Sequence, residues 1–424
     1  GLHFTALDYP RQVVFDEVHF GKFVNAYCCT KERFFDIHPP HAKLLIAGVV
    51  ALTSYNGSFS FDHIGQPYAS TVPVFALRFI PALMGMLLPF VLYWLIKEIN
   101  GSQLAALLTA SAVVFDSAML LQTRVIALDG VLLVAQFAAL ACYLAGRRRR
   151  GPIFWAYILA SGALAGLAGG VKFTGLAALV LLGFLLIIDF YQKPSVEWRR
   201  LVLAGLLILG TAVVIYGAGW WLHYQLLDLS GSGDAWQKPS GNFLPDVIEM
   251  HRKMLSANYH LAAAHPYASA WWTWPLIGRP VFYWQGAGAA MYFIGNPLVW
   301  WGAFALFIAA TIRGFWALWQ RKTSMIPPGF WFLLVGYVVS LVPLMRVPRA
   351  LFLYHYATPL LFSLAIAAIS LDGWLRNNPA KRWGRAAWII LAMALVFLLF
   401  SPLTYGFEVP DTWRTLLFWF PSWR

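Results

Sequence analysis

The sequence predicts an all-α integral membrane protein, a polytopic helical bundle with about ten visible spans. Three observations carry that prediction. Sixty per cent of the residues are hydrophobic and only 12 per cent are charged, about half the charge of an ordinary soluble domain. The apolar residues fall in runs of roughly 20, the length that crosses a bilayer as a helix. The basic residues gather in short tufts between those runs, which is the positive-inside pattern. The net charge of +13 therefore reflects topology, and no basic stripe suited to nucleic acid is present.

Residues 1–73 hold no run long enough to span, so they form an outer loop. Lys43 to Tyr55 is apolar but short, which suits an amphipathic helix lying at the membrane surface. Turn residues Asn56-Gly57-Ser58 and Gly65-Gln66-Pro67 follow. Ten spans are then expected, at 74–96, 103–122, 126–145, 153–170, 172–191, 201–223, 293–312, 328–345, 350–371 and 386–405. This divides the chain into an outer loop 1–73, a first set of spans 74–223, a large outer loop 224–292, a second set of spans 293–405 and an outer tail 406–424.

The tufts give the sidedness. Arg147 to Arg150, then Lys193 with Arg199 and Arg200, then Arg313 with Arg321 and Lys322, then Arg376, Lys381, Arg382 and Arg385 fall on one side. That side is the cytoplasm. The chain opens at Gly1 with neither a methionine nor a signal-like run, and an unseen first span is expected before it. Adjacent Cys28 and Cys29, with Cys142 inside an apolar run, define no disulfide framework.

The chemistry concentrates in Val13 to Leu45, VVFDEVHFGKFVNAYCCTKERFFDIHPPHAKLL. Asp16, Glu17, His19, Lys22, Asp36, His38, His41 and Lys43 crowd together here among phenylalanines. Charges beside a membrane are costly to desolvate and mark sites more often than packing. A solvated acidic pair at a helix start is the plain alternative for Asp16-Glu17. His38-Pro39-Pro40 stiffens the chain before the surface helix. The types of His19, His38, His41 and Glu17 suit a divalent metal, but their spacing matches no strong metal motif.

The stretches VVFDEVHFGKF and RFFDIHPPHAKLL together resemble the protein O-mannosyltransferase family. So do TRVIALDG (Thr123–Gly130), GGVKFTGL (Gly169–Leu176), HPYASAWWTWPLIGRPVFYW (His265–Trp284), IGNPLVWW (Ile294–Trp301), LYHYATPL (Leu353–Leu360) and PSWR (Pro421–Arg424). The resemblance implies a GT-C bundle of eleven spans, the one missing here being the first. It implies mannose transfer from a dolichyl- or polyprenyl-phosphate carrier to serine or threonine of a secreted or membrane protein. The site would face away from the cytoplasm, outside a bacterial plasma membrane or inside an endoplasmic reticulum. Two departures stand out. The family usually carries Leu-Gly where this chain has His41-Ala42, and residues 224–292 are too few for the β-trefoil domain of the eukaryotic enzymes. A bacterial-type enzyme is favoured.

In the family the acidic pair lies at the catalytic centre, which makes Asp16 the general base and Glu17 its partner. A serine hydroxyl attacking an anomeric carbon needs such a base, and inversion would turn a β-linked mannosyl phosphate into an α-mannoside. The leaving phosphate is stable as an anion, so phosphate-binding cations replace a catalytic acid. Arg124 and Lys172, each at the outer end of a span, are the candidates; snorkelling is the plain alternative. Asp129, one helical turn past Arg124, has the spacing to pair with it. His38, Asp129, His265, Arg279, Tyr354 and His355 are the further candidates to line the substrate cavity, while the tryptophans near His265 suit a membrane belt. No cofactor beyond the lipid-linked donor is implied. Translocon association or a dimer is left open. A transporter would place its charges near mid-membrane on repeated halves, whereas these lie at outer ends. A relative passing another sugar to a lipid or glycan is the alternative within the same class.

Overall fold

A computed structural model describes residues 1–192, 198–260 and 264–424, so Lys193 of the second tuft lies outside the described residues. Two short helices, α1 (Glu17–Asn25) and α2 (His41–Val50), precede the first long one, α3 (Val74–Glu98). Then come α4 (Gln103–Val114), α5 (Ser117–Gln122), α6 (Asp129–Gly146), α7 (Gly151–Val171), α8 (Ala177–Gln192), α9 (Trp198–Leu226) and α10 (Phe243–His260). A hairpin of β1 (Val281–Gly286) and β2 (Ala289–Phe293) leads to α11 (Pro297–Trp319), α12 (Phe330–Leu341), α13 (Ala357–Leu375), α14 (Arg382–Tyr405) and α15 (Asp411–Leu417). The chain forms two compact units. The first comprises Gly1–Met84, Thr123–Ala263 and Val347–Arg349, and the second comprises Gly85–Gln122, Ala264–Arg346 and Ala350–Arg424.

Among the described residues, eight helices are long and apolar enough to cross a membrane. Two of the ten expected spans are interrupted. The run 103–122 breaks between α4 and α5 at Asp116, whose buried carboxylate accepts hydrogen bonds from Met119 N (2.8 Å), Asn296 N (3.1 Å) and Trp300 Nε1 (2.6 Å). A buried charge demands such donors, and a straight helix would not supply them. The run 328–345 stops as α12 before Pro343, which has no N–H to donate, and ends in a 3-10 turn at Leu344–Arg346.

The first unit is built around α6, which is almost wholly buried. Helix α7 packs against both α6 and α9. Its contact with α9 is backbone to backbone. A Cβ on Gly162 would lie 2.6 Å from Ile208 O, and one on Gly166 would lie 2.4 Å from Ala212 O. This is the small-residue spacing by which helices in lipid approach closely. One turn further, Gly170 and Gly219 leave a slot filled by the imidazole of His41, since a Cβ on either would stand 2.2 Å from that ring. His41 Nε2 bonds Ile215 O at 2.9 Å. The histidine that departs from the family pattern thus plugs the surface helix α2 into the α7–α9 groove. The helix itself covers His41–Val50, shorter than the apolar run, and ends in a turn.

The second unit centres on α13, which packs against α4, α11 and α12. Its hairpin departs from the all-α expectation. Val281–Gly286 and Ala289–Phe293 pair antiparallel around Ala287-Gly288, with Gly288 at φ +66°. Aromatic residues on both sides of a turn with a positive-φ glycine favour strand pairing. The span expected from 293 starts later, because Asn296 caps α11 by accepting from Leu298 N and Val299 N with Pro297 in the first turn. Cys28 and Cys29 are joined as a disulfide between neighbours.

The glycine contacts give a stability test. Gly166→Val would force α7 away from α9, and overpacking of this kind costs about 1–3 kcal/mol. A fall in Tm of several degrees is expected in detergent, and little change for Gly183→Ala, whose surroundings are open. Equal melting temperatures for the two variants would show that the α7–α9 contact does not hold the unit together.

Candidate active site

The candidate site lies in the first unit, where the crowded stretch turns into α1. Phe15, at φ +45°, occupies a left-handed conformation that is strained for a bulky residue and recurs at functional sites. After this turn the two acids separate. Glu17 is completely buried and Asp16 is not.

Glu17 is saturated with donors. Arg78 of α3 grips it with two nitrogens, Nε to Oε1 at 2.8 Å and Nη2 to Oε2 at 2.9 Å. Val14 N (2.8 Å), Tyr68 Oη (2.9 Å) and Ile126 N (3.0 Å) also donate to it. Arg78 spends its remaining donors on the carbonyls of Leu7, Tyr9, Pro10 and Gln12 at 3.2–3.3 Å. One ion pair therefore joins the N-terminal segment, α1, the Tyr68 loop, α3 and the turn before α6.

Asp16 is the opposite case. It sits at the N-cap of α1 without capping, and among the described residues its carboxylate accepts no hydrogen bond. Burial, opposed first by Lys172 and then reinforced by Asp129 and Asp36, pushes its carboxyl up to about 7; Arg349 also opposes the rise. A carboxyl at that value can be both base and acid near neutral pH.

The surrounding groups are held in place. Lys172 lies in extended backbone (φ −148°, ψ 150°) just past α7, in a turn so tight that a Cβ on Gly175 would lie 2.1 Å from Ala168 O. Its Nζ donates to Asp129 Oδ1 at 2.7 Å; the sequence had set Asp129 beside Arg124. Asp36 pairs with the buried Lys43, which also donates to His38 O at 2.8 Å and stands over the Phe23 and Phe34 rings. Beside this pair a small cleft is lined by Tyr27, Phe34, Asp36, His38, Trp220 and His223, with Tyr27 Oη bonded to His223 Nδ1 at 2.7 Å. Arg349 is braced by Asn258 Oδ1 at 3.0 Å.

Other expected residues stand elsewhere. Arg124 is buried, with its guanidinium donating to Leu2 O, His3 O and Ala6 O at 2.9–3.0 Å. Four candidates belong to the second unit. His265 Nδ1 accepts from Tyr267 N, Arg279 donates to Pro266 O and Ser422 O, and His355 contacts Phe352 and stacks on Trp274. Tyr354 stacks against both Phe352 and His355. His41 and Glu17 are committed to packing, and among the described residues no three His, Cys, Asp or Glu side chains are placed to hold a metal. Sequence reasoning missed Arg78 and Arg349. A lone arginine inside an apolar run was the available signal for Arg78; Arg349 offered only a cation in an outer turn.

The two acids should separate in a stability experiment. Glu17→Gln leaves Arg78 buried without its counter-charge, at a cost of about 3–5 kcal/mol, so the variant should melt far below the wild type. For Asp16 the raised folded value means that stability is fully present below 3.8 and lost as pH rises through about 7. Asp16→Asn should therefore gain in Tm relative to wild type across that window. Melting curves in which Asp16→Asn is the more damaged variant would reverse these assignments.

Known proteins match this chain over most of its length. A family model described as dolichyl-phosphate-mannose-protein mannosyltransferase matches residues 2–227. A second, the C-terminal four-span region of protein O-mannosyltransferase, matches 243–423. Protein O-mannosyltransferase 1 of Drosophila pseudoobscura is 38% identical over 244 residues, covering 55% of this chain and 26% of that protein. Dolichyl-phosphate-mannose–protein mannosyltransferase 4 of Saccharomyces cerevisiae is 33% identical over 248 residues, covering 55% of this chain and 32% of that protein. The matched part of the chain spans about a quarter to a third of these relatives. The structure of the S. cerevisiae Pmt1-Pmt2 complex bound to the sugar donor superposes with a TM-score of 0.91 at 19% identity, over 100% of this chain and 91% of that one. ArnT from Cupriavidus metallidurans bound to undecaprenyl phosphate gives 0.53 at 16% identity, over 94% and 69%.

Proposed function

The chain belongs to the protein O-mannosyltransferase family and has the GT-C membrane fold, and from that premise we propose that it transfers mannose from a polyprenyl-phosphate carrier to protein hydroxyls with Asp16 as the general base. The observation that carries this reading is the Asp16 carboxylate itself, which accepts no hydrogen bond among the described residues, lies beside Lys172, and is pushed up to about 7.

The chemistry balances with this chain's own groups. A serine or threonine oxygen of the acceptor attacks the anomeric carbon and its proton passes to Asp16. The bond from that carbon to the phosphate oxygen breaks, and the carrier leaves as a phosphate anion with inversion at carbon. Lys172 is the first candidate to steady that phosphate, since it stands in Asp16's electrostatic surroundings and exchanging Asp129 for phosphate keeps it paired. Arg124 ranks second, because it must first release three carbonyls of the N-terminal segment. Glu17 acts by positioning, through Arg78. The positive-inside pattern supports a site on the non-cytoplasmic face; along α6, Asp129 and the Arg147 tuft stand about 27 Å apart, the rise of 18 residues. The relative solved as a Pmt1-Pmt2 complex supports action as part of a pair.

Purified protein, labelled polyprenyl-phosphate mannose and a Ser/Thr-rich peptide provide the assay. Asp16→Asn should keep donor binding and lose transfer by roughly 10²–10⁴, the span of general-base catalysis. Lys172→Ala should weaken donor binding by about 2 kcal/mol, the contribution of a charge-assisted contact. Near-normal turnover by a well-folded Asp16→Asn, with chemistry rate-limiting, would eliminate the proposal.

A further inference from the structure

Helix α10 was not expected in the large outer loop, and it carries two apolar faces where packing needs one. Its inner face is settled. Asp246, Met250, Met254 and Ala257 are buried, and Met250 and Met254 pack with Trp220, Tyr216 and Tyr224 of α9. His251 fixes the contact: its Nδ1 donates to Val247 O at 2.7 Å, which leaves Nε2 to accept from Tyr216 Oη at 2.5 Å.

The second face is exposed. Leu244, Ile248, Leu255 and Tyr259 lie open, and at 100° per residue their spacing of four, seven and four puts them within about 60° of one another. Polar Glu249, Lys253 and Ser256 separate this stripe from the buried face on one side. The residues of α9 beside α10 say what covers the stripe. Helix α9 has 29 residues and is the least buried of the long apolar helices. At about 43 Å it outreaches a hydrocarbon core of about 30 Å. Its open apolar surface runs through Leu206, Leu209, Val213 and Val214 up to Trp221 and Leu222. Those last two stand on other faces of α9 at the height of Trp220 and Tyr224, residues that α10 packs against. A lipid surface that covers α9 to that height meets the α10 stripe as well.

We infer that α10 is seated in the outer membrane interface, with Leu244, Ile248, Leu255 and Tyr259 in contact with lipid and Arg252 and Lys253 at the level of the headgroups. The composition fits an interfacial helix: an apolar stripe that includes an aromatic residue, with basic Arg252 at its border and Lys253 further round. Arg252 is exposed and Lys253 partly so, and among the described residues they share only Glu249, at 3.6 and 3.5 Å, so they remain available to acidic headgroups. The seating also reaches the site, because Asn258 on the same helix braces Arg349. This inference does not depend on which reaction the protein performs.

The test is depth-dependent quenching in nanodiscs of phosphatidylcholine, with or without bromine on the acyl chains. Bimane is attached to the Cys142→Ala chain carrying Ile248→Cys or Leu255→Cys, both at exposed positions, or Lys253→Cys, at a partly exposed one. An apolar face buried about 5–10 Å into the interface should give quenching at 248 and 255 more than about twofold that at 253. Melting in the same nanodiscs checks that each labelled chain keeps the wild-type Tm. Quenching as low at 248 and 255 as at 253 would overturn the inference. So would protection of those two sites by acceptor peptide or by cross-linking to a second copy, since either would put protein where lipid is proposed.

Discussion

The ion pair of Glu17 and Arg78 is the constraint on which the rest of the first unit depends. Both side chains are essentially inaccessible to water, and a buried pair is tolerable only when its remaining hydrogen-bonding capacity is met. Here Glu17 has five donors, and Arg78 reaches four carbonyls besides. Because these partners come from five separate segments, the pair fixes the path of the chain on both sides of Asp16. The Asp16 carboxylate can then be left without a hydrogen-bond donor, and burial raises it as a consequence.

Adjacent acids thus divide two tasks that no single carboxylate performs well. A carboxylate whose oxygens are already filled by an arginine and backbone amides has no room for an acceptor hydroxyl. A carboxylate left unbonded in a partly buried cleft is reactive but contributes nothing to holding the cleft open. The strained backbone at Phe15 separates the two. Lys172 and Arg349 temper the cost of charge at Asp16, and Asp36 and Asp129 limit that relief. The same logic recurs outside the site: Asp116 breaks a span in order to find donors, and His41 is accommodated only because Gly170 and Gly219 make room for it.

Much of this was legible in the sequence, for physical reasons. Long apolar runs and basic tufts report the membrane directly, so the spans were visible except where an acid or a proline interrupted one. The crowded stretch Val13–Leu45 was visible because charges beside lipid are rare. What stayed hidden depended on long-range pairing. Nothing local distinguishes Asp16 from Glu17, and their difference comes from Arg78, 61 positions after Glu17. Likewise Lys172 and Asp129 meet across 43 positions, whereas spacing alone set Asp129 beside Arg124. The hairpin Val281–Phe293 was lost among aromatic residues that also suit a membrane belt, and helix α10 mixes apolar and charged residues too evenly to read as a span.

The central claim is that Asp16 is the group whose ionisation permits transfer. The most direct measurement is the pH dependence of single-turnover mannosyl transfer with donor saturating, in wild type and in Asp16→Asn. The wild-type rate should rise with pH through a midpoint near 7, the value to which the carboxyl is pushed, because only the ionised form accepts the hydroxyl proton. The residual rate of Asp16→Asn should lack that rise. A wild-type rate that is flat across this interval, or a rise that survives in Asp16→Asn, would contradict the account.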